Sequence, residues 1–254
     1  MDSLAPRAGV PGIAALLASY AEDLRLLALL HAKEIPVGLL DALREAKFPH
    51  CLALPPLDAA GRDARALLFS ALSGPEGARD QQALDALHAD FAAIYLNNSY
   101  SVSPAECVWL DPEGLVMQEP MFEVRRWYEH YNLAARDWRT LSDDHLVPQL
   151  EFIVHLLTHP AEHGPKDAAA FMDHHVLRWI EPFAARVAQR CHTQFYAGLA
   201  LVTATALKAL RRHLVTLAGM PEIELEPIEE ERQRRRAKAQ AEASRFVPGA
   251  APSW

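Results

Sequence analysis

The chain has 254 residues, half of them hydrophobic, with 25 Lys and Arg against 33 Asp and Glu and a formal net charge of −8. This length is enough to bury a full core in one large domain or two small ones, and the acidic balance argues against nucleic acid as the main partner and favours a cationic one. Cys51, Cys107 and Cys191 lie far apart without a Cys-x-x-Cys pair, so no disulfide framework or zinc pattern follows and a reducing compartment is expected.

Taken in order, the chain reads as helical almost throughout. Residues 11–33 carry Leu16, Leu17, Tyr20, Leu24, Leu27 and Leu30 at helical spacing. Glu22, Asp23 and Arg25 interrupt the apolar run, and residues 1–12 lack a basic n-region. No secretory signal or membrane span is expected here, and the predicted location is cytoplasmic. Pro36 opens a second helix over 37–47, which Phe48-Pro49 closes. Amphipathic helices are predicted over 62–72 and 81–96, separated by Gly74-Pro75-Glu76-Gly77. Residues 97–120 form a long central loop with Pro104, Pro112, Gly114 and Pro120 and a turn at Asp111-Pro112-Glu113-Gly114. Its Tyr100, Cys107, Val108, Trp109 and Met117 predict a packed loop. Helices follow over 121–133, from about 144 to 158, over 168–189 and over 190–218. In the last of these Phe195, Leu199, Val202, Ala206, Leu210 and Leu214 make a core stripe. No stretch alternates with period two, and no internal repeat of fixed period is present.

The predicted architecture is therefore all-α, a single globular helical domain over 1–220 with a charged C-terminal tail over 221–254. In that tail Glu222, Glu224, Glu226 and Glu229 to Glu231 precede Arg232, Arg234 to Arg236 and Lys238. Segregated charge with few apolar residues predicts a solvated helix fading into flexible chain.

The stretch from Ser142 to Phe152 organises the rest. Leu146, Leu150, Ile153 and Leu157 form one buried helical stripe. Pro148 lacks an N–H and is harmless only in a first turn, so the helix is expected to begin near Asp144, with Asp144 or Ser142 as its cap. His145 then stands at the helix entrance, on the flank shared with Gln149, Phe152 and Leu156.

Twelve histidines raise the question of a metal. His155, His159 and His163 are spaced by four, but Pro160 and Gly164 end the helix between them, and no Glu follows His155 as an HExxH site requires. The alternative of a small metal-dependent hydrolase built on His155 and His159 rests on this cluster alone, and a helical adaptor without a cofactor link is the other alternative. No GxSxG, P-loop or GxGxxG is present, and no metal, cofactor or enzymatic activity is expected.

Four patterns, taken together, resemble a known family. They are Asp90-Phe91-Ala92-Ala93-Ile94-Tyr95-Leu96, then Pro104-Ala105-Glu106-Cys107-Val108-Trp109, then Asp144-His145-Leu146 with Leu150-Glu151-Phe152, then Phe171-Met172-Asp173-His174-His175 with Trp179 and Phe183. In this order they resemble the TorD/DmsD-type redox-enzyme maturation chaperones, relatives of the NarJ group. Asp143 stands where that family has Pro, and Cys107-Val108-Trp109 where it has Ser-Val-Tyr.

The resemblance implies an all-helical cytoplasmic chaperone of the TorD/NarJ family, a monomer or a domain-swapped dimer. Its partners would be the twin-arginine signal peptide and the apo catalytic subunit of a molybdenum-cofactor oxidoreductase. It would assist cofactor insertion and prevent premature export. By motif position the resemblance marks Asp144, His145, Glu106 and Trp109 for peptide recognition. Glu106, Asp111, Glu113, Asp143 and Asp144 are expected to meet the arginines, and Trp109, Tyr95, Phe91, Phe122 and Trp127 to line the apolar part. An acidic, aromatic-lined groove between helices suits such a peptide.

Overall fold

Helix α7 (Leu146–Thr158) lies at the centre of the molecule, and the apolar spacing of its sequence explains why. Leu146, Leu150, Ile153 and Leu157 are all buried, and so are Val147, Phe152, Val154 and Leu156, so α7 is covered on most of its circumference. One neighbour is α1 (Ile13–Ala32), another is α8 (Gly164–His174). A second layer forms where α10 (Gln194–Ala218) packs between α3 (Ala59–Ser73) and α9 (Val176–Arg190). The remaining helices are α2 (Val37–Glu45), α4 (Gln81–Phe91), α5 (Cys107–Leu110), α6 (Glu119–His130) and α11 (Ile228–Arg245). This computed structural model describes residues 12–74, 81–135, 141–159 and 164–245. The expected break at Pro75 to Gly77, His163 and the final residues of the tail lie outside them. Among the described residues there is no strand, only an isolated antiparallel bridge between Ala105 and His145.

The expected stripe of α10 is buried at every position named, from Phe195 to Leu214. Small residues let α10 approach α3 closely. A Cβ built on Gly198 would stand 2.8 Å from the Leu68 Cα. The Gly198→Ala variant therefore gains at most about 1 kcal/mol in helix propensity. It loses about 1–3 kcal/mol to overpacking against backbone that cannot turn aside. The expected result in urea unfolding is net destabilisation; a stabilised variant would show that the two helices part freely.

Several helix boundaries differ from the periodicity, the start of α8 at Gly164 among them, and two have a clear physical cause. The stripe over 168–189 is broken at His175, whose φ of −127° and ψ of −94° separate α8 from α9. The helix over 190–218 begins only at Gln194, because buried Asp90 accepts the backbone N–H groups of His192 (3.0 Å) and Thr193 (2.6 Å). Apolar spacing runs through both points and does not register a side chain that competes for the backbone.

After α10, Gly219 adopts a left-handed φ of +65° and the chain turns back. Arg211 secures this return. Its Nε and Nη2 donate to the two Asp173 carboxylate oxygens at 2.8 Å each, and its Nη1 donates to the Met220 carbonyl at 3.0 Å. The segment beyond does not lie free in solvent. Ile228–Arg245 forms α11, and Glu231 within it is fully buried against Arg178 and Arg235. The solvated tail expected from the charge pattern differs for a physical reason: its arginines find acceptors contributed by α5 and α6, far away in sequence. No described helix is long and apolar enough to cross a membrane.

Candidate functional site

Two loops without helical hydrogen bonds cross beside α7 and satisfy one another. The Glu106 N–H donates to the Asp144 carbonyl at 3.1 Å, and the Leu146 N–H to the Pro104 carbonyl at 2.8 Å. The crossing joins the Pro-Ala-Glu-Cys stretch to the Asp-His-Leu stretch and buries Ala105, Glu106, Asp144 and His145. Buried backbone groups must find partners, and here each loop supplies them to the other.

The capping roles of Asp144 and His145 differ from the expectation. Helix α7 starts at Leu146, and His145 is its N-cap: the His145 Nδ1 accepts the Val147 N–H at 3.1 Å. Asp144 serves another helix. Its Oδ2 accepts the Cys107 N–H at 2.8 Å, at the start of α5, and its other oxygen accepts the Ser142 hydroxyl. Sequence spacing places a cap at Asp144 or Ser142 and does not reveal that Asp144 serves α5, because α5 is too short to show a period.

Behind the crossing lies a buried polar chain. Gln149, one turn into α7, donates through Nε2 to Glu106 Oε2 (2.7 Å) and to the Asp144 carbonyl (3.1 Å). Glu106 Oε1 faces His175 Nδ1 at 3.0 Å. Burial pushes the Glu106 carboxyl above its usual pKa and the neighbouring Asp144 adds to this, while His175 and Gln149 oppose it. The break between α8 and α9 is what presents His175 to Glu106.

Aromatic side chains flank the crossing on two sides. Phe91 and the π-helical turn Ala92–Leu96 bring Tyr95 to 4.8 Å from the Phe91 ring and 6.5 Å from the His145 ring. On the other side Trp127 meets Phe171 at 5.7 Å and His175 at 6.5 Å. Trp109 is pinned by its indole N–H to the Ser103 carbonyl (2.9 Å), with the Arg186 guanidinium 4.5 Å above its ring. Thus Glu106, Asp144, His145, Phe91 and Tyr95 gather around one crossing, Trp127 joins through His175, and Trp109 follows Glu106 by one turn.

The degree of exposure separates these residues. Glu106, Asp144, His145, Phe91 and Trp109 are buried, and Tyr95 and Trp127 are half-buried. Asp111 is also buried and accepts the N–H groups of Glu113 and Leu115 within its own turn. Asp143 is held by Arg125 Nε at 2.7 Å. Of the acids expected to meet arginines, only Glu113 is open to solvent, and Phe122 is the exposed aromatic.

Beside Trp127 a groove of about 620 Å³ opens between α6, α8 and α11, lined also by Glu123, His174, His175, Arg178 and Arg235. Glu123 and the α11 arginines are site residues that the sequence did not bring out, and His175 and Gln149 stood in it without a role, His175 within the fourth motif string. Gln149 follows His145 by four residues, which is the one signal that pointed to it.

The histidine cluster takes a different form from a hydrolase centre. His155 and His159 stack at 4.0 Å between ring centroids, and the His159 Nδ1 lies 3.1 Å from the His155 carbonyl. Among the described residues no three His, Cys, Asp or Glu side chains come together as metal ligands.

Residues 54–185, more than half of the chain, match the family described as nitrate reductase delta subunit. The chain is 26% identical over 150 residues to the chaperone protein TorD of Aliivibrio fischeri, covering 56% of this chain and 69% of that protein. It is 25% identical over 111 residues to the probable Tat proofreading chaperone DmsD of Haemophilus influenzae, covering 44% and 53%. To the chaperone protein TorD of Vibrio cholerae El Tor it is 30% identical over 152 residues, covering 56% and 65%. The matches span between about half and two thirds of the length of these relatives.

Proposed function

The chain belongs to the nitrate reductase delta subunit family, that of the TorD/DmsD-type maturation chaperones, and from this premise we propose that it is a cytoplasmic chaperone of a molybdenum-cofactor oxidoreductase. In this reading it binds the twin-arginine signal peptide of the apo catalytic subunit and holds the subunit back from export until the cofactor is inserted. The observation that carries the reading is the crossing of the two motif loops, which ties Pro104–Cys107 to Asp144–Leu146 and places aromatic side chains on both flanks.

Within that reading the named residues divide their work. Glu106, Asp144 and His145 fix the crossing from inside. Phe91 and Trp109 pack against it. Tyr95 and Trp127, half-buried beside the crossing, meet the apolar part of the peptide. The acidic chain attracts a basic n-region.

The test is titration of the full-length protein with a synthetic peptide carrying adjacent arginines and an apolar run. Failure to bind it, with retained binding of the apo subunit lacking its leader, would overturn the signal-peptide part. Asp144 refines the test. Because Asp144 is enclosed, Asp144→Asn keeps an acceptor for the Cys107 N–H and is expected to bind the peptide like the parent. Asp144→Ala strands that N–H, costs about 1–3 kcal/mol of stability and is expected to bind more weakly as α5 loosens. Weak binding by a well-folded Asp144→Asn would mean instead that the carboxylate meets an arginine directly.

A further inference from the structure

Helix α11 is the feature that the chaperone reading does not use. It is almost wholly polar, and the half-buried Ile228 is the apolar residue by which it touches the core. Arginines hold it elsewhere. Arg232 donates through Nε to the Trp109 carbonyl (2.8 Å) and through Nη2 to the Val108 carbonyl (2.9 Å). Those carbonyls end α5 and have no partner within their own helix. Arg236 donates to the Pro112 carbonyl at 3.1 Å, and Arg235 grips both Glu123 oxygens, at 2.6 and 3.3 Å. Gly114, at a φ of +68°, lies under the Arg232 guanidinium, with its missing Cβ 4.0 Å from Nη2.

The surface beneath α11 therefore presents acceptors to its occupant: the Val108 and Trp109 carbonyls at the end of α5, the Pro112 carbonyl, the Glu123 carboxylate and, at the edge, Glu113, 3.8 Å from Arg236. A guanidinium, with five donors and no acceptor, is the side chain that matches such a surface. Burial works against the Glu123 charge, yet Arg235 holds this carboxyl below its usual pKa, with His175 and Arg126 assisting. Two of the carbonyls belong to the Glu106–Trp109 motif stretch itself. Helix α11 also supplies one wall of the groove beside Trp127, through Glu231, Arg234 and Arg235. Apart from the buried Glu231–Arg178 pair, its contacts are arginine bonds to carbonyls and the partly exposed Arg235–Glu123 and Arg236–Glu113 pairs, which water and salt weaken and another arginine-bearing chain can replace in kind.

We infer that α11 is an internal ligand: it occupies, with Arg232 and Arg235, the surface on which the arginines of a client peptide dock, and the client displaces it. This rests on the signal-peptide reading and adds to it the place of the arginine subsite and a built-in competitor. Displacement frees the α5 carbonyls and Glu123 for the client arginines and widens the groove toward Trp127 for the apolar run. A client then binds more tightly the weaker the hold of α11, because the apparent Kd is the intrinsic one divided by the open fraction.

The test uses the full chain and the same twin-arginine peptide. In Arg232→Ala/Arg235→Ala the peptide is expected to bind about tenfold more tightly than to the parent, in proportion to the larger open fraction. Adding Glu123→Gln to that variant is expected to reverse the gain. Arg232→Ala alone leaves the Glu231 pairs intact, and is the variant to use if the double one unfolds. With the parent, peptide should speed hydrogen exchange across α11. Equal affinity of parent and variants, with α11 exchange unchanged, overturns the inference: α11 is then a structural strap, and the peptide binds elsewhere while the chaperone reading stands. Absence of binding to parent and variants alike overturns the signal-peptide reading and the inference with it.

Discussion

Asp173→Ala is expected to lower the stability of the protein by about 3–5 kcal/mol, the usual result of removing one partner from a buried ion pair. The Arg211 side chain is 2% exposed and that of Asp173 7%, so without Asp173 the guanidinium is left largely enclosed and without its counter-charge, with only the Met220 and Pro221 carbonyls to accept from it. At about 2–4 °C per kcal/mol for a chain of this size, Tm should fall by roughly 6–20 °C. The cost comes from the unpaired charge rather than from any large net worth of the pair. Replacing both partners by apolar residues, Asp173→Leu with Arg211→Met, should therefore recover much of the loss. The recovered variant lacks the Arg211 bond to the Met220 carbonyl, so the start of the return to α11 should exchange amide hydrogens faster even where Tm is restored. A fall below about 1 kcal/mol for Asp173→Ala would mean that Arg211 reaches solvent or another acceptor.

The same contrast between local pattern and distant partner decides how much was legible in the sequence. The stripes of α7 and α10 could be read because burial repeats every turn, and each residue named in them is buried. The family motif could be read as four short strings. What it does in space could not, since its residues act on partners 37 to 69 positions away: Asp144 on the Cys107 N–H and His175 on Glu106. Spacing located the start of α7 but named Asp144 or Ser142 as its cap, whereas His145 caps it and Asp144 turns to the Cys107 N–H of α5, a helix too short to show a period. It ran through the break at His175 because Ala168, Phe171, Met172, Val176, Trp179 and Ile180 stay apolar across it. Charge segregation in residues 221–254 suggested a solvated tail because composition counts apolar area and does not see carbonyl acceptors waiting at the end of α5. These misses have one origin: a polar group competing for, or supplying, a backbone hydrogen bond leaves no periodic trace.

Stability should fall steeply as the pH drops from about 6.5 to about 5, through two histidines buried in the neutral form. His31 and His145 are enclosed, and burial lowers both from 6.5 to about 3, with His145 adding to the effect on His31. The hydrogen bonds give the same answer independently. The Thr203 hydroxyl donates to the Leu199 carbonyl (2.9 Å), so toward His31 Nε2, at 2.9 Å, it can only accept. The His31 proton is therefore on Nε2, and Nδ1 accepts from the Tyr95 hydroxyl at 2.5 Å. His145 Nδ1 likewise accepts the Val147 N–H. A second proton on either ring would turn a donor against a donor. The unfolded chain takes up these protons below about pH 6.5 and the folded chain does not, so the stability present above that value is lost toward pH 3 at about 1.4 kcal/mol per pH unit for each group. By about pH 5 the two together remove roughly 4 kcal/mol. Glu106 acts in the opposite sense, because its folded pKa is raised by burial; protonation relieves it and softens the loss at the acid end. Urea unfolding across this range reads the slope. Asn caps helices as well as Asp does, so His145→Asn should halve the slope without removing the α7 cap. Adding His31→Gln, whose amide can donate to Thr203 and accept from Tyr95, should nearly flatten it. A parent chain whose stability is level from about pH 7 to about pH 5 would mean that both rings are charged in the folded state, and the proton positions assigned to His31 and His145 would have to be abandoned.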